Sequence, residues 1–468
     1  MSSPLSLPST TSAPTVPSTS TSTTSSFPST SNSATLLAGS EFDAQALPKL
    51  VVAHVIVGNT QPYSANDWSS DIALAQAAGI DAFALNYGSL SWEPGQLANA
   101  YQAAESHSGF KMFLSADMTS LSGGSQGDAQ NLANQVKQFV NHPAQLAYGG
   151  KTLLGTFSGE YSTFGQGNIE AGWTMILNLI GSPVAFIPAW FIDPSTFSQY
   201  SVLSGALNWN GGWPMGSTDL TFDSDKQWIS GLGNKAYMAP VTPNFFTHYG
   251  PNTYNKNWIY RSDDSLYATR WESLIHYRNY VAIAEIITWN DYGESHYVGP
   301  IKGDESMANA WVDGYDHTPW LTMTKYYAQA FKTGTNPAIT NDQVYIYGRP
   351  HPKGANACCD SVGRPNNWQN TDDNFYVTVF AKAAAQVVLS TPARGSKPNP
   401  ASSGPNAQTF NVPAGVSHYK LALQPGNAMR ATLQRGSTVV VDVYPTAYFF
   451  NPNPQTYNFN AYVAMGSG

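Results

Sequence analysis

Two carboxylates three positions apart, Asp291 and Glu294, lie in the run Trp289-Asn290-Asp291-Tyr292-Gly293-Glu294-Ser295-His296-Tyr297. Hydrolysing a glycosidic bond takes one carboxylic acid to protonate the leaving oxygen. It also takes a second carboxylate, which activates water or attacks the anomeric carbon. Aromatic faces stack on sugar rings, and Asn or His side chains bond hydroxyls. This short run carries all of these groups. Asp117, Glu160 and Asp193 are further acids that each follow an apolar, strand-like stretch. An Asp in that place can equally cap the next helix, and Asp193, directly before Pro194, reads as the start of a turn. His54, Asn86, Glu160, Asn290 and His296 are candidate hydroxyl partners, while Trp190, Trp209, Trp213, Trp289 and Tyr292 are candidate stacking platforms. The competing readings are plain: a strand histidine is often a satisfied polar residue, and a tryptophan is often core.

Those acids need a scaffold that gathers strand ends. Leu50–Gly58, Asp81–Tyr87, Lys111–Met118, Thr152–Phe157, Val184–Phe191, Ala206–Trp209, Ala236–Val241 and Ile283–Trp289 read as eight strands. Helical or irregular segments separate them. The pattern predicts a (β/α)8 barrel, whose reactive groups sit where strands end and the following loops begin. A doubly wound open sheet is the rival, but no Gly-x-Gly-x-x-Gly follows the first strand. After Asn336-Pro337, short alternating runs between Gly, Pro and Asn clusters predict an all-β sandwich. The expected organisation is an arm over residues 1–40, a catalytic barrel over 46–335 and a β-sandwich over 336–468. The sandwich reads as support or as a sugar-binding module.

Composition narrows the function. The chain is 42% hydrophobic and 13% aromatic but only 11% charged, with a net charge of −8, against about 25% charged in ordinary soluble chains. Its polarity comes from Ser, Thr, Asn, Gln and Gly, which suits neutral polymers. No basic stripe is present for nucleic acid, and no apolar run approaches the roughly 18 residues of a membrane span. The first 38 or so residues are nearly all Ser, Thr and Pro, too poor in apolar side chains to order themselves and typical of O-glycosylated stalks. An exported monomer is expected, its export signal missing from this sequence. Cys358 and Cys359 are adjacent, either two inert thiols or a vicinal disulfide. No phosphate loop, His-Glu-x-x-His, Cys/His cluster or Gly-x-Ser-x-Gly elbow occurs, so neither metal nor cofactor is expected.

Five motifs in order carry a resemblance: LVVAHVIVGNTQPY (residues 50–63), GIDAFALN (79–86), FSGE (157–160), YMAPVTPNFFTH (237–248) and ITWNDYGESHYVGP (287–300), followed by YGRPHP (347–352). Together they resemble glycoside hydrolase family 71, the fungal endo-1,3-α-glucanases or mutanases. That resemblance implies a (β/α)8 barrel with a C-terminal β-sandwich, hydrolysis of α-1,3-glucan with inversion, no metal, and catalytic acids at Asp117, Asp291 and Glu294. The expectation for roles is Glu294 as general acid, Asp291 as base and Asp117 positioning the sugar or water. Leu114-Ser115-Ala116-Asp117-Met118 and Asn208-Trp209-Asn210-Gly211-Gly212-Trp213-Pro214 depart from the family's usual wording, which bears on subsite shape. Hydrolysis of another α-glucan and non-catalytic glucan binding are the alternatives.

Overall fold

The computed structural model describes residues 47–396 and 406–468; the arm expected over residues 1–40 lies outside them. Strands β1 (Leu50–Ile56), β2 (Ala82–Tyr87), β3 (Lys111–Asp117), β4 (Ala147–Tyr148), β5 (Lys151–Phe157), β6 (Val184–Phe186), β7 (Gly205–Leu207), β8 (Ala236–Val241) and β11 (Ile283–Ile286) form one curled sheet. All of its pairings are parallel except β4 with β5. A separate hairpin of β9 (Phe246–His248) and β10 (Asn257–Ile259) stands between β8 and β11.

Alternation along β1 shows how the sheet is held. Val51, Ala53 and Val55 join an apolar cluster with Ile72 and Ala75 of α1 (Ala65–Ala77) and Leu97 of α2 (Glu93–Glu105). Val52 instead joins an inner cluster with Ala82, Ala84, Phe113, Met238 and Ile283. Helices thus cover one face of the sheet and the sheet's own side chains fill the other, as its period of two requires. Capping boxes start α1 at Ser64–Asp67 and α3 (Gln126–Lys137) at Ser125–Asp128. Gly181 ends α4 (Ile169–Ile180) in the left-handed conformation.

β1, β2, β3, β6, β7 and β11 are shorter than the sequence predicts, β6 and β11 by the most. β6 stops at Phe186; Pro188 beyond it has no N–H for a ladder, although Ala189 N still donates to Thr156 O. β7 stops at Leu207 because Trp209–Gly212 winds into a 3-10 turn. β11 stops at Ile286 as a regular strand, although Ile287 N still donates to Val241 O and Trp289 N to His54 O, so the chain stays bonded to β8 and β1 beyond it. Beyond their pairing registers, Ser204 N donates to Phe186 O at 2.8 Å and Leu207 N to Pro188 O at 2.9 Å, which brings β7 alongside β6.

Two antiparallel four-stranded sheets follow α8 (Thr318–Thr333). One takes the order Gly415–Ala422, Asn374–Ala381, Gln343–Gly348, Tyr462–Ser467; the other, Ala407–Val412, Ala385–Ser390, Arg430–Arg435, Thr438–Val443. Val344, Ile346, Phe375, Val377, Leu389 and Leu433 belong to the apolar cluster these sheets share. Tyr345 and Tyr347, from the alternate positions of Gln343–Gly348, join the cluster that holds Trp320 and Tyr327 of α8. That seam also holds a buried ion pair, Arg349 to Asp263 at 2.6 Å. Cys358 and Cys359 are joined as a vicinal disulfide. Among the described residues no helix is long and apolar enough to cross a membrane.

Candidate active site

Asp117 is the last residue of β3, and the chain beyond it turns immediately: its Oδ1 accepts from Thr119 N at 3.0 Å and from Thr119 Oγ1 at 2.6 Å. Asp291 and Glu294 lie past β11 on a loop fastened to its neighbours. Asn290 both accepts from Ile56 N (2.8 Å) and donates to Ile56 O (3.0 Å), so it pairs like a strand residue with the end of β1. Thr288 N donates to His296 O, and Val298 N to Thr288 O, closing the loop's base. Asp291 Oδ1 accepts from Glu294 N at 3.0 Å. Gly293 is needed between them, because a Cβ there would stand 2.3 Å from the Tyr249 hydroxyl.

The charges around this loop divide the two acids. Glu294 Oε1 lies 2.9 Å from Lys256 Nζ, and its Oε2 lies 3.1 Å from His296 Nε2. Thr288 Oγ1 accepts from Asp291 N at 2.7 Å and sits 3.3 Å from His296 Nδ1. Its hydrogen can therefore go to Nδ1, which leaves Nε2–H for the Glu294 carboxylate; this tautomer is assigned from the network. Burial pushes the Glu294 carboxyl up, but the Lys256 ammonium and the His296 hydrogen bond overcome it and hold the group well below the usual range, at about 2. Asp291 is pushed the other way, first by burial and then by the negative charge of Glu294. Lys256 is itself pushed up to about 12, with Glu294 as the main cause and with Asp291 and Asp117 contributing. One cation thus feels all three acids. Opposite ionisation of neighbouring carboxyls is the arrangement an acid–base reaction needs.

Asp291, Glu294 and His296 each offer one donor atom within 4.8 Å of the others, a donor set that a divalent cation could use. Here the Lys256 ammonium supplies positive charge on Glu294.

The other sequence candidates separate into two groups. Asn86 is the penultimate residue of β2, in register with Ile56 and Ser115, and Glu160 follows β5 with Oε2 accepting from Ser158 Oγ at 3.0 Å. His54 Nδ1 lies 2.7 Å from Glu285 Oε1, while its Nε2 is buried without a partner. Trp209 packs edge-on against both His54 and Phe157. Five candidates turn out to be scaffold. Trp213 is buried and donates to Asn244 O at 3.0 Å. Trp190 is fully buried against Trp173, Phe186 and Tyr200, so it offers no face to a sugar. Trp289 is buried against Phe83 and donates to Asp71. Tyr292 is buried, with its hydroxyl in donating reach of Pro300 O or Lys302 O and accepting from Lys302 N. Asn290 is spent on β1. Asp193, as expected of a turn, accepts from Ser195 N.

Sequence reasoning passed over Lys256, whose only signal is a cation in the hairpin after β8. It also passed over the rim. Among the described residues seven large apolar side chains are exposed, and six of them, Leu90, Tyr161, Phe191, Met215, Tyr254 and Met307, lie in loops that follow parallel strands at the end where the acids stand. An apolar rim around a polar, acidic centre is what a stacked sugar chain requires.

The sequence matches glycosyl hydrolase family 71 over residues 47–468. The chain belongs to that family. It is therefore a glycoside hydrolase. Glucan endo-1,3-alpha-glucosidase agn1 of Schizosaccharomyces pombe is 36% identical over 428 residues, spanning 89% of this chain and 94% of that protein. The ascus wall endo-1,3-alpha-glucanase of the same yeast is 34% identical over 442 residues, spanning 89% and 97%. A mutanase of Penicillium rubens is 31% identical over 446 residues, spanning 92% and 91%.

Proposed function

We propose that this family 71 hydrolase is a secreted, monomeric enzyme that cleaves α-1,3-glucan internally. The names of its three relatives support the substrate. We also infer that the eight parallel strands close as a (β/α)8 barrel, supported by the β6–β7 bonds, with a β-sandwich over residues 336–468. In this reading the acids gather at the barrel mouth and act without a metal.

The single observation that carries the mechanism is the split charge of the acid pair: Glu294 held ionised by Lys256, Asp291 held towards its protonated form. This favours Asp291 as the proton donor to the leaving oxygen, the reverse of the expectation from sequence. Inversion needs a water between carboxyls about 6.5–9.5 Å apart. Asp291 and Glu294 present oxygens within 4.8 Å of each other, which is too close for that. Asp117, on a strand three places round the sheet from β11, is the acid that can face the sugar from the other side and activate water. Glu294 then serves to keep Asp291 protonated.

Incubation with α-1,3-, α-1,4- and β-1,3-glucan, with NMR of the fresh anomers, tests both parts. Oligosaccharides from the α-1,3 polymer alone, appearing first as the β-anomer, are expected. Products appearing first as the α-anomer would overturn inversion and make Glu294 the nucleophile, whose spacing from Asp291 is close to the about 5–5.5 Å of retaining enzymes.

A further inference from the structure

We propose that a cavity between α7 (Asn309–Val312) and the C-terminal segment is a second glucan-binding site, apart from the catalytic acids. The cavity holds about 510 Å³ and is lined from residues 310–315 on one side and from 350–351 and 447–462 on the other. That volume lies in the range of about 300–1,000 Å³ usual for ligand sites. None of Asp117, Lys256, Asp291 or Glu294 lines it.

Its chemistry selects a neutral, hydroxyl-rich ligand. No Asp, Glu, Lys or Arg lines the cavity. Its one histidine, His351, is kept uncharged because burial brings the imidazole down to about 4. An ionic ligand would lose its hydration there without gaining a counter-charge. Tyr315, Phe449 and Tyr462 are half-buried in the lining, so each has ring surface left to stack on a sugar. Phe449 is backed by the Arg394 guanidinium at 4.5 Å, which steadies the ring from one face. Gln455 and Thr456 are exposed, and their side chains make no hydrogen bond among the described residues. They are the free amide and hydroxyl that a hexose could use.

The back wall is already fixed. Tyr448 Oη donates to Arg349 O at 2.6 Å, and Asn458 N donates to His351 Nε2 at 3.0 Å. A preformed wall spares a ligand the ordering cost that weakens binding. The glucan identity of the ligand rests on the proposed function; the neutral, ring-bearing character does not. A second foothold suits an enzyme whose polymer is insoluble, because it holds the enzyme on the surface between cuts.

The test is adsorption of the full chain to insoluble α-1,3-glucan, measured by depletion from solution, for wild type, Phe449→Ala, Gln455→Ala and Thr456→Lys. Losing one stacked ring or placing a bulky cation in the cavity should weaken adsorption about three- to tenfold. Hydrolysis of the insoluble polymer should slow in parallel, with cleavage of short soluble α-1,3-oligosaccharides and the melting temperature unchanged. Thr456→Lys changes an exposed residue, so the test survives if Phe449→Ala fails to fold. Adsorption equal to wild type in Gln455→Ala and Thr456→Lys overturns the site. If wild type cuts only a different glucan, the substrate reading fails instead. The same comparison on that polymer then decides the cavity.

Discussion

Replacing Lys256 by methionine keeps the length of the side chain and removes the one cation bonded to Glu294. Two unit charges 2.9 Å apart interact by roughly 5–6 kcal/mol at an effective dielectric constant of about 20. Lys256 is 45% exposed at its side chain and Glu294 17%, so solvent screens the pair and about a quarter to a half of that figure is a fair expectation. This is about 1.4–2.8 kcal/mol, or one to two pH units on the Glu294 carboxyl. The sign follows from the charge: a cation depresses a carboxyl pKa, so its loss raises it. Asp291 also feels Lys256 as a depressing influence, so its pKa rises as well. The profile of kcat/KM against pH should therefore move bodily upward in Lys256→Met, its acid limb by about one to two units. Lys256→Arg should leave it close to wild type. With Glu294 at about 2 in the wild type, the shifted limb falls at about pH 3–4, and reducing-sugar release from α-1,3-oligosaccharides read from about pH 1.5 to 9 shows both. An unchanged acid limb in Lys256→Met, with the variant folded, would refute the view that Glu294 must stay ionised.

Three further outcomes follow from the same geometry. Gly293→Ala puts a Cβ 2.3 Å from the Tyr249 hydroxyl; overpacking of this kind costs about 1–3 kcal/mol, so turnover should fall at least tenfold. The double variant with Tyr249→Phe, which removes the offending oxygen, should recover part of the loss. Asp291→Asn should abolish turnover yet raise the melting temperature at pH 7 by a degree or more. The folded carboxyl has a raised pKa, a penalty that is present above that pKa and gone below the unfolded value of about 3.9, so scanning calorimetry should show no gain at pH 3. Asp225→Ala strands Arg270, which it now meets at 2.7 and 2.8 Å in full burial. Breaking such a pair costs about 3–5 kcal/mol, visible as a lower denaturant midpoint.

What could be read in the sequence depended on whether a signal was local. Long, β-branched runs such as Leu50–Ile56, and the acids directly after them, announce a strand and its C-terminal end together, which is how Asp117 and the loop from Trp289 to Tyr297 came to be singled out. Aromatic residues near strand ends carried no such information. Trp190 and Phe191 are neighbours, yet the first is core and the second is 37% exposed on the rim. A one-residue change of face decides between them, and composition does not record the face. The order of the acid and base was equally out of reach. It depends on Lys256, which is 38 residues away from Glu294 in the chain, and long-range pairing leaves no periodic trace. β6 and β7 were overestimated for a related reason: apolar runs continue where pairing thins at Pro188 to single bonds such as Ala189 N to Thr156 O, and where the chain winds into the turn at Trp209.

The position of Lys256 joins the two halves of the chain in one site. It precedes β10, whose first residue, Asn257, accepts at Oδ1 from the His248 ring (2.9 Å) and donates through Nδ2 to Gly363 O (3.1 Å). The other nitrogen of His248 meets Asp360 Oδ2 at 2.8 Å. Asn366 N donates to Asn257 O, and Ile259 N to Asn366 O, so the segment from Asp360 to Asn366 lies along the hairpin almost as a third strand. That segment leaves the vicinal disulfide at Cys359 and is pinned again where Tyr457 N donates to Asp360. The cation that sets the charge of Glu294 is therefore braced by residues well beyond the parallel sheet. The acids alone are insufficient to define this chemistry: the sequence between Asp360 and Asn366 fixes where a charge stands, and that charge sets which carboxyl holds the proton.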